Sequence, residues 1–85
     1  MKRLQFEKIE NNKKILCEVI ATYHEDSNNK DYVVYTDNNI TNNKLNIYYS
    51  LYKLVNNNIV LIDTKDIEDK KIGLELIKEL IKEIN

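Results

Sequence analysis

Along most of the chain, apolar and polar positions alternate with the period of a β-strand, and only from about residue 66 does the spacing lengthen. Over 3–9, RLQFEKI, Leu4 and Phe6 stand two apart between polar neighbours, as in a strand with one face buried. The segment over 15–24 alternates again, with Cys17, Val19, Ala21 and Tyr23 in one phase and Glu18, Ile20 and Thr22 in the other. Over 31–37, DYVVYTD is dense in β-branched and aromatic residues and too short for a helix, which predicts a third strand. Over 45–54, Leu45, Ile47, Tyr49 and Leu51 share one face, and Tyr48, Ser50 and Tyr52 the other. IVLID, over 59–63, predicts a short fifth strand.

The gaps between these segments hold clusters of asparagine: Asn11–Asn12, Asn28–Asn29, Asn38–Asn39, Asn42–Asn43 and Asn56–Asn58. Two-residue hairpin turns need positive φ, which glycine tolerates best and asparagine next best, because its short amide bonds back to the local backbone. With a single glycine and no proline in the chain, asparagine is the available corner residue. The clusters therefore predict the hairpin corners of a meander.

From 66 to 84 the apolar residues follow helical spacing. Gly73, Ile77, Leu80, Ile81 and Ile84 form one stripe flanked by Leu74 and Leu76, with Lys78, Glu79, Lys82 and Glu83 opposite. Thr64 or Asp66 can cap the start, and Asp66, Glu68 and Asp69 suit the positive end of the helix dipole. Such a helix is roughly 27 Å long, close to the length of an eight-residue strand, so it can lie across one face of the sheet. On the inward stripe, Gly73 implies either a close approach of helix to sheet or a kink. The expected fold is α+β: an antiparallel meander of about five strands with one carboxy-terminal amphipathic helix packed on one face, all in one small domain over 1–85.

With these elements placed, the series CEVIATY, DYVVYTD, NIYYSLYKL, IVLID and a terminal amphipathic helix resembles the YrzB-like family of small bacterial proteins, a domain of unknown function. Glu18–Tyr23, Tyr32–Asp37 and Ile47–Tyr52 carry the likeness, and YVVYTD is its most specific piece. The chain departs from that pattern in being nearly neutral and in lacking tryptophan. The resemblance implies the fold and no activity.

Charge and composition narrow the function classes. A net charge of -1, from 13 basic and 14 acidic side chains, provides no long-range field toward nucleic acid or an anionic membrane. The first fourteen residues lean basic, through Lys2, Arg3, Lys8, Lys13 and Lys14 against Glu7 and Glu10. A single cysteine excludes an internal disulfide, and one cysteine with one histidine builds no zinc site. No apolar run spans a membrane, and the expected setting is the cytoplasm.

The candidate chemistry is sparse. If Cys17 and His24 share a strand they lie roughly 23 Å apart, out of reach as a nucleophile and base. Cys17 reads better as a small buried hydrophobe, and His24, Glu25 and Asp26 as a solvated turn rather than a metal site. No catalytic residue, cofactor or metal site is expected. The six tyrosines carry more weight: if the helix covers one sheet face, others must stand on the opposite one. Exposed aromatics suit a protein contact, or stacked bases where a basic groove accompanies them, and only Lys30, Lys44 and Lys53 lie near. The expectation is a non-enzymatic module binding a protein partner, or a second copy of itself, through an open face around Tyr32, Val34, Tyr48 and Tyr52 or through an edge strand. Nucleic-acid binding on the sheet tyrosines is the alternative.

Overall fold

Eight asparagines hold positive φ, between 51° and 66°, and they explain most of the chain's course. The computed structural model describes residues 4–64 and 66–84, with side chains as far as Ile81. Its strands are β1 (Gln5–Glu10), β2 (Lys13–Glu25), β3 (Lys30–Thr41), β4 (Lys44–Val55) and β5 (Asn58–Ile62), followed by the helix α1 (Ile67–Ile84). The strands form one antiparallel sheet in chain order. The predicted fold class is the observed one.

Asn11–Asn12, Asn42–Asn43 and Asn56–Asn57 each place both residues in the left-handed region, the conformation of a two-residue type I′ hairpin. The β2–β3 corner is longer and closes on Asn29, also at positive φ. Asn38 and Asn39 depart from the expected pattern, because they sit inside β3 rather than at its end. The register jumps there from Thr36↔Ile47 to Ile40↔Leu45, and Asn38, at φ 65°, takes up the surplus as a bulge. The Asn38 N–H donates to Thr36 Oγ1 at 3.1 Å and the Asn39 N–H to the Asp37 carboxylate at 2.9 Å, so side chains replace the lost ladder bonds.

A second bulge lies between Val19 and Ala21 in β2. It breaks the single phase expected for Cys17, Val19, Ala21 and Tyr23: the first two face Phe6 and Tyr35, while Ala21 and Tyr23 pair beside Val34 and Tyr32 on the other surface. With these bulges the sheet coils until β5 returns beside β1. Its inner surface encloses Phe6, Cys17, Val33, Tyr35 and Ile59, with Ile15, Val19, Tyr48, Tyr52 and Leu61 packed around them.

The helix lies on the outer surface, over β3 and β4. Its covered stripe runs through Asp69, Ile72, Gly73, Leu76, Ile77 and Leu80, whereas Leu74 and Ile81 are exposed. Of the predicted stripe, Ile84 lies outside the described side chains, as do Lys82 and Glu83 opposite it. Gly73 settles as a close approach within an unbroken helix, since a Cβ there would fall inside the Tyr49 ring. Asp66 caps the helix, accepting the Glu68 N–H at 3.1 Å, and Thr64 Oγ1 in turn accepts the Asp66 N–H at 3.2 Å.

Candidate functional site

A meander of five strands places its first and last strands side by side but pointing the same way. Among the described residues no hydrogen-bonded ladder joins β1 to β5, although their Cα atoms come within 8 Å. Two clefts run along this seam. One, of about 590 Å³, is bordered by Glu7, Lys8, Glu10, Ile59, Leu61 and Asp63; the other, of about 440 Å³, by Leu4, Phe6, Leu16, Asn57 and Ile59 among others.

The hairpins dictate which backbone groups face the seam. In a two-residue hairpin the residues flanking the turn form a hydrogen-bonded pair, here Glu10 with Lys13 and Val55 with Asn58. Bonding then alternates along each strand. Phe6, Lys8 and Glu10 therefore bond toward β2, and Asn58, Val60 and Ile62 toward β4. Gln5, Glu7 and Ile9, with Ile59 and Leu61, turn their N–H and C=O groups to the seam. The Val19 N–H donating to the Leu4 carbonyl at 2.8 Å fits this phase.

Lys8 is the one cation at the inner border of the larger cleft, with its side chain 17% exposed. Its ammonium sits 5.3 Å from the Tyr35 ring centroid and 4.9 Å from that of Tyr48, and 3.6 Å from Glu10. Burial works against this charge, but Tyr35 and Glu10 outweigh it and hold the Lys8 pKa above its ordinary value. Burial likewise pushes the Tyr35 hydroxyl up. The Tyr48 hydroxyl donates to Asp37 at 3.1 Å. For Asp37, burial is overcome by the Asn39 N–H and the Tyr48 hydroxyl, which leave its carboxyl below the usual range.

The four residues expected on one open face are divided between two covered ones. Tyr32 and Val34 are each 1% exposed beneath the helix, while Tyr48 and Tyr52 are half-buried on the inner surface. The expectation of an open face failed because the sheet, by coiling, roofs its own second side. Tyr35 is buried as well, in an edge-to-face contact with Phe6 and stacked on Tyr48, so no row of free rings presents itself for bases.

Asp69, expected as an acidic charge at the positive end of the helix, stands in its first turn and is 1% exposed. Its carboxylate accepts the Tyr32 hydroxyl at 2.5 Å, the Thr64 hydroxyl at 2.6 Å and the Lys30 ammonium at 3.2 Å. Burial alone would raise its pKa, but these donors outweigh burial and lower it; Tyr32, buried against the same carboxylate, is pushed up to about 12. A signal for this role was present in the sequence, since Asp69 precedes Gly73 by one helical turn on the inward stripe.

Cys17 and His24 both lie on β2, the first packed inside and the second exposed. Cys17 is fully buried and its thiol pKa is raised by burial. The His24 imidazole lies 2.7 Å from Asp31, whose hydrogen bond raises its pKa. Among the described residues no group of histidine, cysteine and carboxylate side chains could hold a metal ion, and no helix is long and apolar enough to cross a membrane. Comparison with known proteins returned no match to any protein-family model, curated protein or solved structure.

Proposed function

We propose that this domain is a non-enzymatic module that binds a partner protein along its free strand edges. The observation that carries the reading is the seam itself: two edges of one sheet face each other with unpaired backbone groups and a cleft between them. Natural edge strands are usually blunted by charge or proline, yet β5 reads NIVLI, without either. Its Val60 and Ile62 remain more than a third exposed. The reading also draws support from the packed or paired state of Cys17, His24 and Asp69, each of which has a role in the fold.

Kinship with the YrzB-like family belongs to the same proposal. It rests on CEVIATY, YVVYTD and IYYSLY, which fall on β2, β3 and β4 in that order. A cytoplasmic setting is proposed with it, on the lone reduced cysteine.

The test uses the immobilised protein and native lysate. Glu7→Pro removes a backbone N–H that faces the seam and no bond to β2, a substitution edge strands tolerate. Capture should fall with this variant and persist with Tyr48→Phe, at unchanged helical and sheet content by circular dichroism. Capture that survives Glu7→Pro would remove the edges from consideration.

A further inference from the structure

We infer that the seam between β1 and β5 accepts an extended peptide with a basic amino-terminal end as a sixth strand, antiparallel to both neighbours, closing the coiled sheet into a barrel. The inference rests on the protein-binding reading above and specifies the occupant.

Strand parity is the first support. Five strands in an antiparallel meander leave β1 and β5 parallel, so direct closure would need a parallel ladder in an otherwise antiparallel sheet. An inserted strand running the other way would complete an up-and-down barrel of even strand number, with antiparallel pairing at every step. The donors and acceptors it needs are those of Gln5, Glu7 and Ile9 on one side and Ile59 and Leu61 on the other. With β1 of six residues and β5 of five, the matching peptide core is about 17–20 Å of extended chain.

Side-chain chemistry fixes the peptide's character. Alternate residues would point inward toward Phe6, Ile59 and Leu61 and must be apolar. The larger cleft carries Glu7, Glu10 and Asp63 against Lys8 alone, and Lys8 already stands over Tyr35 and Tyr48. Because β1 and β5 run parallel, Glu10, the last residue of β1, and Asp63, the residue after β5, lie at the same end of the seam. An antiparallel occupant enters there with its amino terminus, so its positive residues belong at that end.

Insertion has a structural consequence. A strand between two neighbours holds them about 9.6 Å apart, twice the interstrand spacing, so the present approach within 8 Å must widen by about 2 Å. β1 and β5 are each paired on one side only, so either edge is free to move outward.

The experiment titrates the ¹⁵N-labelled full chain with a synthetic peptide of two lysines followed by alternating valine and threonine, and with its counterpart carrying the lysines at the carboxyl end. Amide exchange at Gln5, Glu7, Ile9, Ile59 and Leu61 should slow, and the amino-terminal lysines should bind about tenfold tighter, a preference of charge placement. Asp63→Lys, at an exposed position after β5, should abolish that preference while leaving the core's spectrum intact. Equal affinity for the two peptides would overturn the assigned polarity. Protection confined to other amides, such as those around Tyr23 and Leu76, would overturn insertion while sparing the protein-binding reading. Absence of binding by either peptide at millimolar concentration would overturn the inference outright.

Discussion

The two surfaces of this sheet are covered by different means. The inner one is closed by the sheet's own coil and filled with Phe6, Cys17, Val33, Tyr35 and Ile59 drawn from β1, β2, β3 and β5. The outer one is closed by a helix that packs over β3 and β4, held by the Gly73–Tyr49 contact and by a buried carboxylate with three donors. An apolar interior has no preferred angle for its cover. A carboxylate that must reach Tyr32, Thr64 and Lys30 together fixes where the helix starts and which way it faces. The difference teaches that hydrophobic burial holds the sheet together, whereas polar geometry orients the helix on it.

The comparison breaks most readily at Asp69. Asp69→Ala leaves two hydroxyls without their acceptor and Lys30 with Asp66 alone, 3.8 Å away, and should cost about 3 kcal/mol, the low end for a buried pair because Lys30 is itself partly exposed. Urea denaturation measures the loss, and amide exchange should show α1 opening before the sheet. Helix and sheet opening together would mean that the two surfaces do not differ in the way described. The same carboxyl predicts an acid dependence. Its folded pKa lies below the ordinary 3.8, so its contribution is complete above that value and disappears as pH falls through the lower folded value. Asp69→Asn should flatten stability against pH in this acid range.

Cys17→Ser tests the inner surface by placing a hydroxyl in an apolar enclosure, at a cost of about 1–3 kcal/mol. Here sheet and helix should lose protection together. In the wild type the buried thiol should react with a disulfide reagent only as fast as the domain opens, so added denaturant should accelerate labelling.

Gly73→Ala gains about 1 kcal/mol of helix propensity but drives a methyl into the Tyr49 ring, and overpacking of about 1–3 kcal/mol should win. In a Tyr49→Ala background the sign should reverse. The smallest effect belongs to the corners. Asn12, at φ 62°, should lose about 1 kcal/mol as alanine and slightly gain as glycine, read from the thermal midpoint.

Most of the architecture was legible because it depends on local chemistry. Alternation marked the strands to within a few residues, although β3 runs on to Thr41 beyond the expected end at 37. Asn38–Asn39 looked like a corner because the same positive φ serves a hairpin turn and a bulge, and only pairing partners distinguish the two. The faces of β2 were misassigned for a related reason. Extrapolating one phase through Cys17, Val19, Ala21 and Tyr23 assumes a regular strand, and the residue inserted at Ile20 exchanges the faces beyond it. Nothing in an uninterrupted alternation announces that exchange.

The sequence by itself determined the number, type and order of the elements and the corners between them, since period and positive-φ tolerance are properties of neighbouring residues. Tertiary structure decided which face each tyrosine occupies, that Asp69 is buried, and that β1 and β5 meet across an unpaired seam. Those outcomes depend on how bulges curl the sheet and where the helix lands on it, and both are set by contacts between residues far apart in the chain.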